Sequence, residues 1–188
     1  MWTHAALALK WNLKANGVEG RCKVRVGDCR LVGMEVAGLC DRVSLGLLPS
    51  SEGSWEVGLK ALKEESGGVL HVHGNVKGVE KEIWVSWLEA KFREFCKKAK
   101  TGKGGWTVEC EKCEKVKAFA PRVYHYVADV VVRPGSLGED KNKDESNNKD
   151  EEILQHPPTC ALSIDGVLNQ EWMSEGGGRV ERVERVEK

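Results

Sequence analysis

RVSLGLLPSSEGSWEVGLKALKEESGGVLHVH (residues 42–73) reads as strand, helix, strand. The first strand runs from Arg42 to Leu48 and stops at Pro49, because a proline has no N–H to give a central strand. Ser50 or Ser51 can cap the helix that follows. Trp55, Leu59 and Leu62 share one face of that helix, and Gly67-Gly68 ends it. Val69 to His73 is the second strand of the unit. A strand–helix–strand order is the signature of an α/β sheet.

Working outward, Ala5, Ala6, Leu9 and Leu13 recur at helical spacing over residues 5–16, and Asn16-Gly17 supplies the stop. Cys22, Val24 and Val26 alternate with Lys23 and Arg25, which predicts a short strand ending at Gly27-Asp28. On the other side, residues 80–100 predict a longer helix. Trp84, Leu88, Lys91 and Phe95 mark its stripe, flanked by Ile83 and Trp87. Trp106 to Glu111 and Val123 to Val132 then read as two strands with no helix between them. Val116 to Ala120 belongs with the first. Such a pair should be antiparallel. The expected fold is α/β with an antiparallel edge hairpin.

The domain boundary is drawn at residue 134. Residues 139–152, EDKNKDESNNKDEE, hold no apolar side chain to offset ordering entropy, so disorder is expected there. Residues 179–188 repeat Arg-Val-Glu three times, a low-complexity end. Residues 1–134 are thus one partial domain, and 135–188 an acidic linker and tail.

A chain of 188 residues, 40% hydrophobic and 31% charged, has the composition of a soluble globular protein with one core of ordinary size. No apolar run of about 18 residues is present. Residues 1–10 do not have the form of a secretory signal, so the expected compartment is the cytoplasm. The net charge of zero hides an asymmetry. Residues 1–138 hold 22 Lys and Arg against 16 Asp and Glu, and residues 139–188 hold 7 against 13. A mildly basic body is compatible with an RNA partner.

Ligands of open α/β sheets bind outside the carboxyl ends of the strands. Asp28 stands at such an end and can accept from an exocyclic amine, although a lone Gly-Asp is more often a turn. The loop after Leu48 can turn N–H groups toward an anion, or be a plain capped turn. His71 and His73 share a face that Asn75 continues; a packed strand is the plainer reading than a metal pair, since no third ligand lies nearby. Trp84 and Trp87 suit base stacking but more often form core. Lys97, Lys98, Lys100 and Lys103 suit phosphates, or simply an exposed helix end. Cys110-x-x-Cys113 lacks the second pair that a zinc site needs, and Cys110 alternates with Trp106 and Val108 as buried strand residues do.

Four stretches together resemble the tRNA wybutosine-synthesizing protein 2 family: NLKANGVEGRCKVRVGDCR (12–30), DRVSLGLLPSSEGSW (41–55), GGVLHVHGNV (67–76) and VKAFAPRVYHYVADVVVRP (116–134). The similarity spans about residues 5–134. It implies an S-adenosyl-L-methionine-dependent enzyme of class I methyltransferase fold. That enzyme moves the 3-amino-3-carboxypropyl group to the 4-demethylwyosine base next to the anticodon of phenylalanine tRNA. Attack falls on the methionine γ-carbon and methylthioadenosine leaves. No metal is implied.

Carried across, Asp28 and Cys29 match an adenine-contacting Asp-Asn pair, with the amide lost at Cys29. Leu48, Pro49 and Ser50 match the loop at the methionine end of the donor. Met1 to Ala5 resembles the residues just after the family's ribose-binding acid. The resemblance therefore implies a sheet lacking its first two strands and their glycine-rich loop. It also leaves two other roles: a non-catalytic remnant binding RNA or a protein partner, and a tRNA guanosine methyltransferase.

Overall fold

The computed structural model of the chain describes residues 3–48, 51–99, 105–135 and 143–160. Its helices are α1 (Thr3–Ala15), α2 (Cys29–Val32), α3 (Trp55–Ala61), α4 (Lys81–Ala99) and α5 (Lys143–Gln155). Its strands are β1 (Arg42–Leu45), β2 (Gly68–Lys77), β3 (Trp106–Ala120) and β4 (Val123–Pro134). They form one sheet in the order β1-β2-β4-β3.

Connection chemistry explains that order. β1 and β2 are parallel, from Arg42 opposite Val69 to Leu45 opposite Val72, and the crossover that parallel strands require is α3. β3 and β4 need only the turn at Pro121-Arg122, so they pair antiparallel. β4 also runs antiparallel to β2, from Gly68 opposite Val132 to Lys77 opposite Val123. The expected α/β sheet with an antiparallel hairpin at its edge is present.

Alternation along β2 separates two faces. Leu70, Val72 and Val76 are fully buried with Ala128, Val130 and Val132 of β4, under Leu59 of α3 and Leu88 and Phe92 of α4. The ring of Trp55 meets those of Trp87 and Phe92 at 5.5 and 5.3 Å. Each such large side chain contributes about 1.5–3 kcal/mol on burial. Gly74 is required beside this core: a Cβ there would lie 2.6 Å from the ring of Trp84. The opposite face of the sheet carries His71, His73 and Asn75.

Three expectations need correction. Cys22 to Val26 form no strand. Alternation alone does not make one; a strand needs a neighbour for its N–H and C=O groups, and among the described residues none pairs there. β1 ends at Leu45 rather than Leu48, so Gly46, Leu47 and Leu48 already belong to the loop.

The third correction is α5, a helix where 139–152 was expected to be disordered. Its anchor is polar: Asp150 is buried and takes the guanidinium of Arg93 on α4. Ile153 and Leu154, just past the polar run, pack on the core. Beyond the helix, the Thr159 hydroxyl donates to the carboxylate of Glu80. Residues 136–142 and 161–188 of the expected tail lie outside the described residues.

Candidate functional site

The carboxyl ends of β1 and β2 point the same way, since the two strands are parallel. Asp28 caps α2: its carboxylate accepts the backbone N–H of Arg30 at 2.9 Å, an N-cap bond that satisfies one donor of the first turn. α2 lies against the turn Glu52–Ser54 that follows the β1 loop. The approach is close, because a Cβ on Gly33 would sit 2.6 Å from the Val57 side chain. Asp28 and Cys29 are thereby set beside the segment that continues Leu48.

The Asp28 carboxylate is exposed and engaged. The Arg30 guanidinium donates to both of its oxygens, Nε at 3.0 Å to each. That side chain first, and the Arg30 N–H second, hold the Asp28 pKa down to about 2. Cys29 is exposed. Leu48 is half-buried, while Pro49 and Ser50 lie outside the described residues. Ser51 is buried and spoken for: its Oγ accepts from Trp55 Nε1 at 2.8 Å, and its carbonyl accepts the Ser54 hydroxyl at 2.7 Å. Ser51 therefore shapes the loop rather than facing a ligand.

The open face of the sheet carries a polar row. His71 Nδ1 lies 2.7 Å from Asp129 Oδ1 on β4, and its Nε2 lies 3.3 Å from Arg42 Nη1 on β1. This assigns the ring's proton: Nδ1–H donates to the carboxylate and Nε2 accepts from the guanidinium. Diagonally across β2 and β4, His73 Nδ1 and His125 Nε2 are 3.0 Å apart. Burial first, then His125 and His71, lower the His73 pKa below 6.5. A Cβ on Gly46 would stand 3.8 Å from the His73 ring, so His73 borders the exit of β1. Two side-chain atoms of the row, Asn75 Oδ1 and His125 Nδ1, are buried without a partner among the described residues.

Sequence reading picked out His71, His73 and Asn75 but missed Asp129 and His125. The signal was there: in VYHYVADVVV the alternation puts His125, Val127 and Asp129 on one face. Trp84 and Trp87 are buried core, not stacking surfaces. Lys98 pairs with Glu94, and Lys100 and Lys103 lie outside the described residues. Cys110 and Cys113 pack on the core, and burial pushes both thiols up to about 11. Among the described residues no cluster of three or more His, Cys, Asp or Glu side chains suits a metal ion.

No protein-family model matches the chain. It is 46% identical over 130 residues to the tRNA wybutosine-synthesizing protein 2/3/4 of Arabidopsis thaliana, covering 69% of this chain and 12% of that protein. It is 32% identical over 157 residues to the tRNA wybutosine-synthesizing protein 2 homolog of Danio rerio, covering 69% of this chain and 38% of that one. Among solved structures, M. jannaschii TYW2 in complex with AdoMet matches with a TM-score of 0.57 and 24% identity, over 69% of this chain and 53% of that chain. P. horikoshii TYW2 in complex with MeSAdo gives 0.51 and 25%, over 68% and 44%. Trm5b of Pyrococcus abyssi gives 0.52 and 25%, over 69% and 34%. The chain thus spans well under two thirds of the relatives it matches.

Proposed function

We infer that this chain, a homologue of the tRNA wybutosine-synthesizing protein 2 proteins, is one part of an S-adenosyl-L-methionine-dependent transferase that modifies tRNA. The reaction is transfer of the 3-amino-3-carboxypropyl group to the 4-demethylwyosine base beside the anticodon of phenylalanine tRNA, in the cytoplasm. The similarity to the plant protein, 46% over 130 residues, carries the reading. The solved TYW2 with MeSAdo supports the donor, because that nucleoside is what remains when the aminocarboxypropyl group departs.

The residues present fit part of such a donor. Asp28 offers an exposed carboxylate to the exocyclic amine of adenine, once Arg30 turns aside. Leu48, Pro49 and Ser50, the residues that follow β1 in the chain, are proposed to line the methionine end. When bound, the donor supplies an electrophilic γ-carbon and a neutral leaving group. The protein's own task is then to hold donor and base in line, which general acid–base residues need not assist.

The chain also exposes Leu7 and Trp11 on α1, Leu31 on α2 and Leu39, each more than 60% open. Apolar surface of this kind suits a neighbouring part of a larger sheet. We therefore expect the chain alone not to bind the donor usefully. One carboxylate bond contributes about 1.5–3 kcal/mol, less than association costs.

Calorimetric titration with S-adenosyl-L-methionine tests this. The 188-residue chain should show no micromolar binding, and the chain joined to the segment that precedes the matched stretch in the Arabidopsis relative should bind. Asp28→Ala should then weaken it about tenfold or more. Turnover that releases methylthioadenosine marks aminocarboxypropyl transfer. Release of S-adenosylhomocysteine would instead favour the guanosine methyltransferase reading, to which the likeness to Trm5b lends support. Loss of both would leave a non-catalytic remnant.

A further inference from the structure

The β3–β4 hairpin departs from regular pairing where it could most easily have been plain. Its register skips three residues of β3: Glu111, Val116 and Phe119. A bulge leaves its extra residue unpaired and re-aims the side chain. Val116 and Phe119, the two skipped apolar residues, are both open to solvent, Phe119 at 61%. An aromatic ring pushed off the ladder lies outside the buried core.

The turn itself carries a second irregularity. Arg122 has φ 64°, and it is the one non-glycine among the described residues with positive φ. With Pro121 before it, the pattern is that of a type II turn, whose third position favours Gly or Asn. An arginine held there opposes the local backbone preference.

Charge completes the picture. From Lys115 to Ala128 the chain carries Lys115, Lys117 and Arg122 and no carboxylate. Among the described residues neither Lys117 nor Arg122 has an ion pair, and Lys115 stands 4.6 Å over the Tyr124 ring. Topology puts this tip on the side of the carboxyl ends of β1 and β2. Val123 pairs with Lys77, the last residue of β2, and Gly78 N–H donates to Arg122 O. β1 ends opposite Val72, so β2 and the hairpin run about 17 Å beyond it, at about 3.3 Å per residue. That overhang suits a polymer reaching past a small donor.

We propose that the hairpin tip, with Phe119 as a stacking ring and Lys117 and Arg122 as phosphate contacts, grips an unpaired stretch of the RNA substrate. This rests on the reading of the chain as part of a tRNA-modifying enzyme, and it names the surface that reading leaves unassigned. An exposed aromatic among cations stacks on any unpaired base, whereas a paired duplex hides its base faces.

The test is fluorescence anisotropy of the full chain with a labelled anticodon stem–loop RNA, a paired duplex of equal length, and polyglutamate. Phe119→Ala should weaken stem–loop binding about tenfold and leave duplex binding unchanged. Lys117→Ala and Arg122→Gly should each weaken it several-fold and lower the slope of log affinity against log salt by about one. Arg122→Gly also guards against misfolding, because it should not lower the melting temperature while it loses RNA. Stem–loop binding equal in all variants, absent from the unsubstituted chain, or matched by polyglutamate would overturn the proposal. Failure here with donor binding intact in the joined protein leaves the transferase reading standing. Loss of donor binding with hairpin-dependent RNA binding intact removes only the transferase reading.

Discussion

The guanidinium of Arg93 on α4 straddles the carboxylate of Asp150 on α5, with Nε 3.0 and 2.9 Å from its two oxygens and Nη2 2.9 Å from one. Its Nη1 donates to the Val108 carbonyl of β3 at 3.1 Å. One arginine thus joins a helix, a strand and a second helix 57 residues away. Asp150 is buried, and its loss leaves the half-buried Arg93 guanidinium only the Glu89 carboxylate, 3.7 Å away, as counter-charge. Asp150→Ala should destabilise the chain by about 2 kcal/mol, within the range for hydrogen bonds to charged groups. Urea denaturation checks this, and a change within error would mean that α5 is not docked.

The histidine row predicts a pH response. His73 faces His71 on its own strand, His125 and Asp129 on β4, Arg42 on β1, and Lys117 opposite His125 on β3. Its folded pKa lies below 6.5, chiefly because of burial, so the unfolded chain binds its proton more readily. Stability from this group is therefore present above 6.5 and lost as pH falls through the folded value. The melting temperature should fall from about pH 7.5 to about pH 5.5, and His73→Gln should flatten that fall. An unchanged slope in the variant would assign the response to other groups.

Parts of this molecule were legible in its sequence. The alternation of Val69 to His73 and of Val123 to Val132 marked two strands, because one face of each is buried, although the first runs on to Lys77. The same alternation at Cys22 to Val26 misled, because pairing depends on a neighbour that no local pattern reports. The helix over Lys143–Gln155 was hidden by a composition reading that counts apolar residues, whereas its anchor is an ion pair between residues 93 and 150. At the site, His71 and His73 were visible, but Asp129 and His125 meet them across separations of 58 and 52 residues. The sequence alone does not reveal that Arg30 occupies the Asp28 carboxylate.

Two glycines with positive φ should respond very differently to alanine. Gly17, at φ 63°, has nothing within 4 Å of an added Cβ, so Gly17→Ala should cost only the left-handed backbone term of about 1–2 kcal/mol. Gly67, at φ 70°, would place its Cβ 1.9 Å from the Val132 carbonyl oxygen. That contact is with backbone of the adjoining strand, and relief requires β2 and β4 to separate. Gly67→Ala should exceed about 4 kcal/mol, the range reserved for the severest single changes. Thermal melts of the two variants side by side check the contrast, and equal losses would contradict it.

Thiol chemistry should sort the cysteines by burial. Cys110 and Cys113 are held up to about 11, so almost no thiolate exists on them near neutral pH. Cys22 and Cys29 are exposed. Under native conditions iodoacetamide should label Cys22 and Cys29 and spare Cys110 and Cys113, with mass spectrometry locating the adducts. Rapid labelling of the Cys110–Cys113 pair would reopen the case for a redox motif.

Arg30→Ala should release the Asp28 carboxylate only in part. The guanidinium is the largest cause of its pKa of about 2, and the Arg30 backbone N–H is the next. The substitution removes the first and leaves the second, so Asp28 should titrate between about 2 and 3.8. A carboxyl-carbon NMR titration reads this directly. The sign for stability follows: the depressed folded pKa favours the fold above 3.8, and that contribution is lost as pH falls toward 2. The variant should narrow the window. In the joined protein, Arg30→Ala should also leave donor affinity equal or tighter, because the adenine amine no longer displaces a bound guanidinium. Weaker binding would mean that Arg30 touches the donor itself, and that the Asp28–Arg30 pair belongs to the site rather than guarding it.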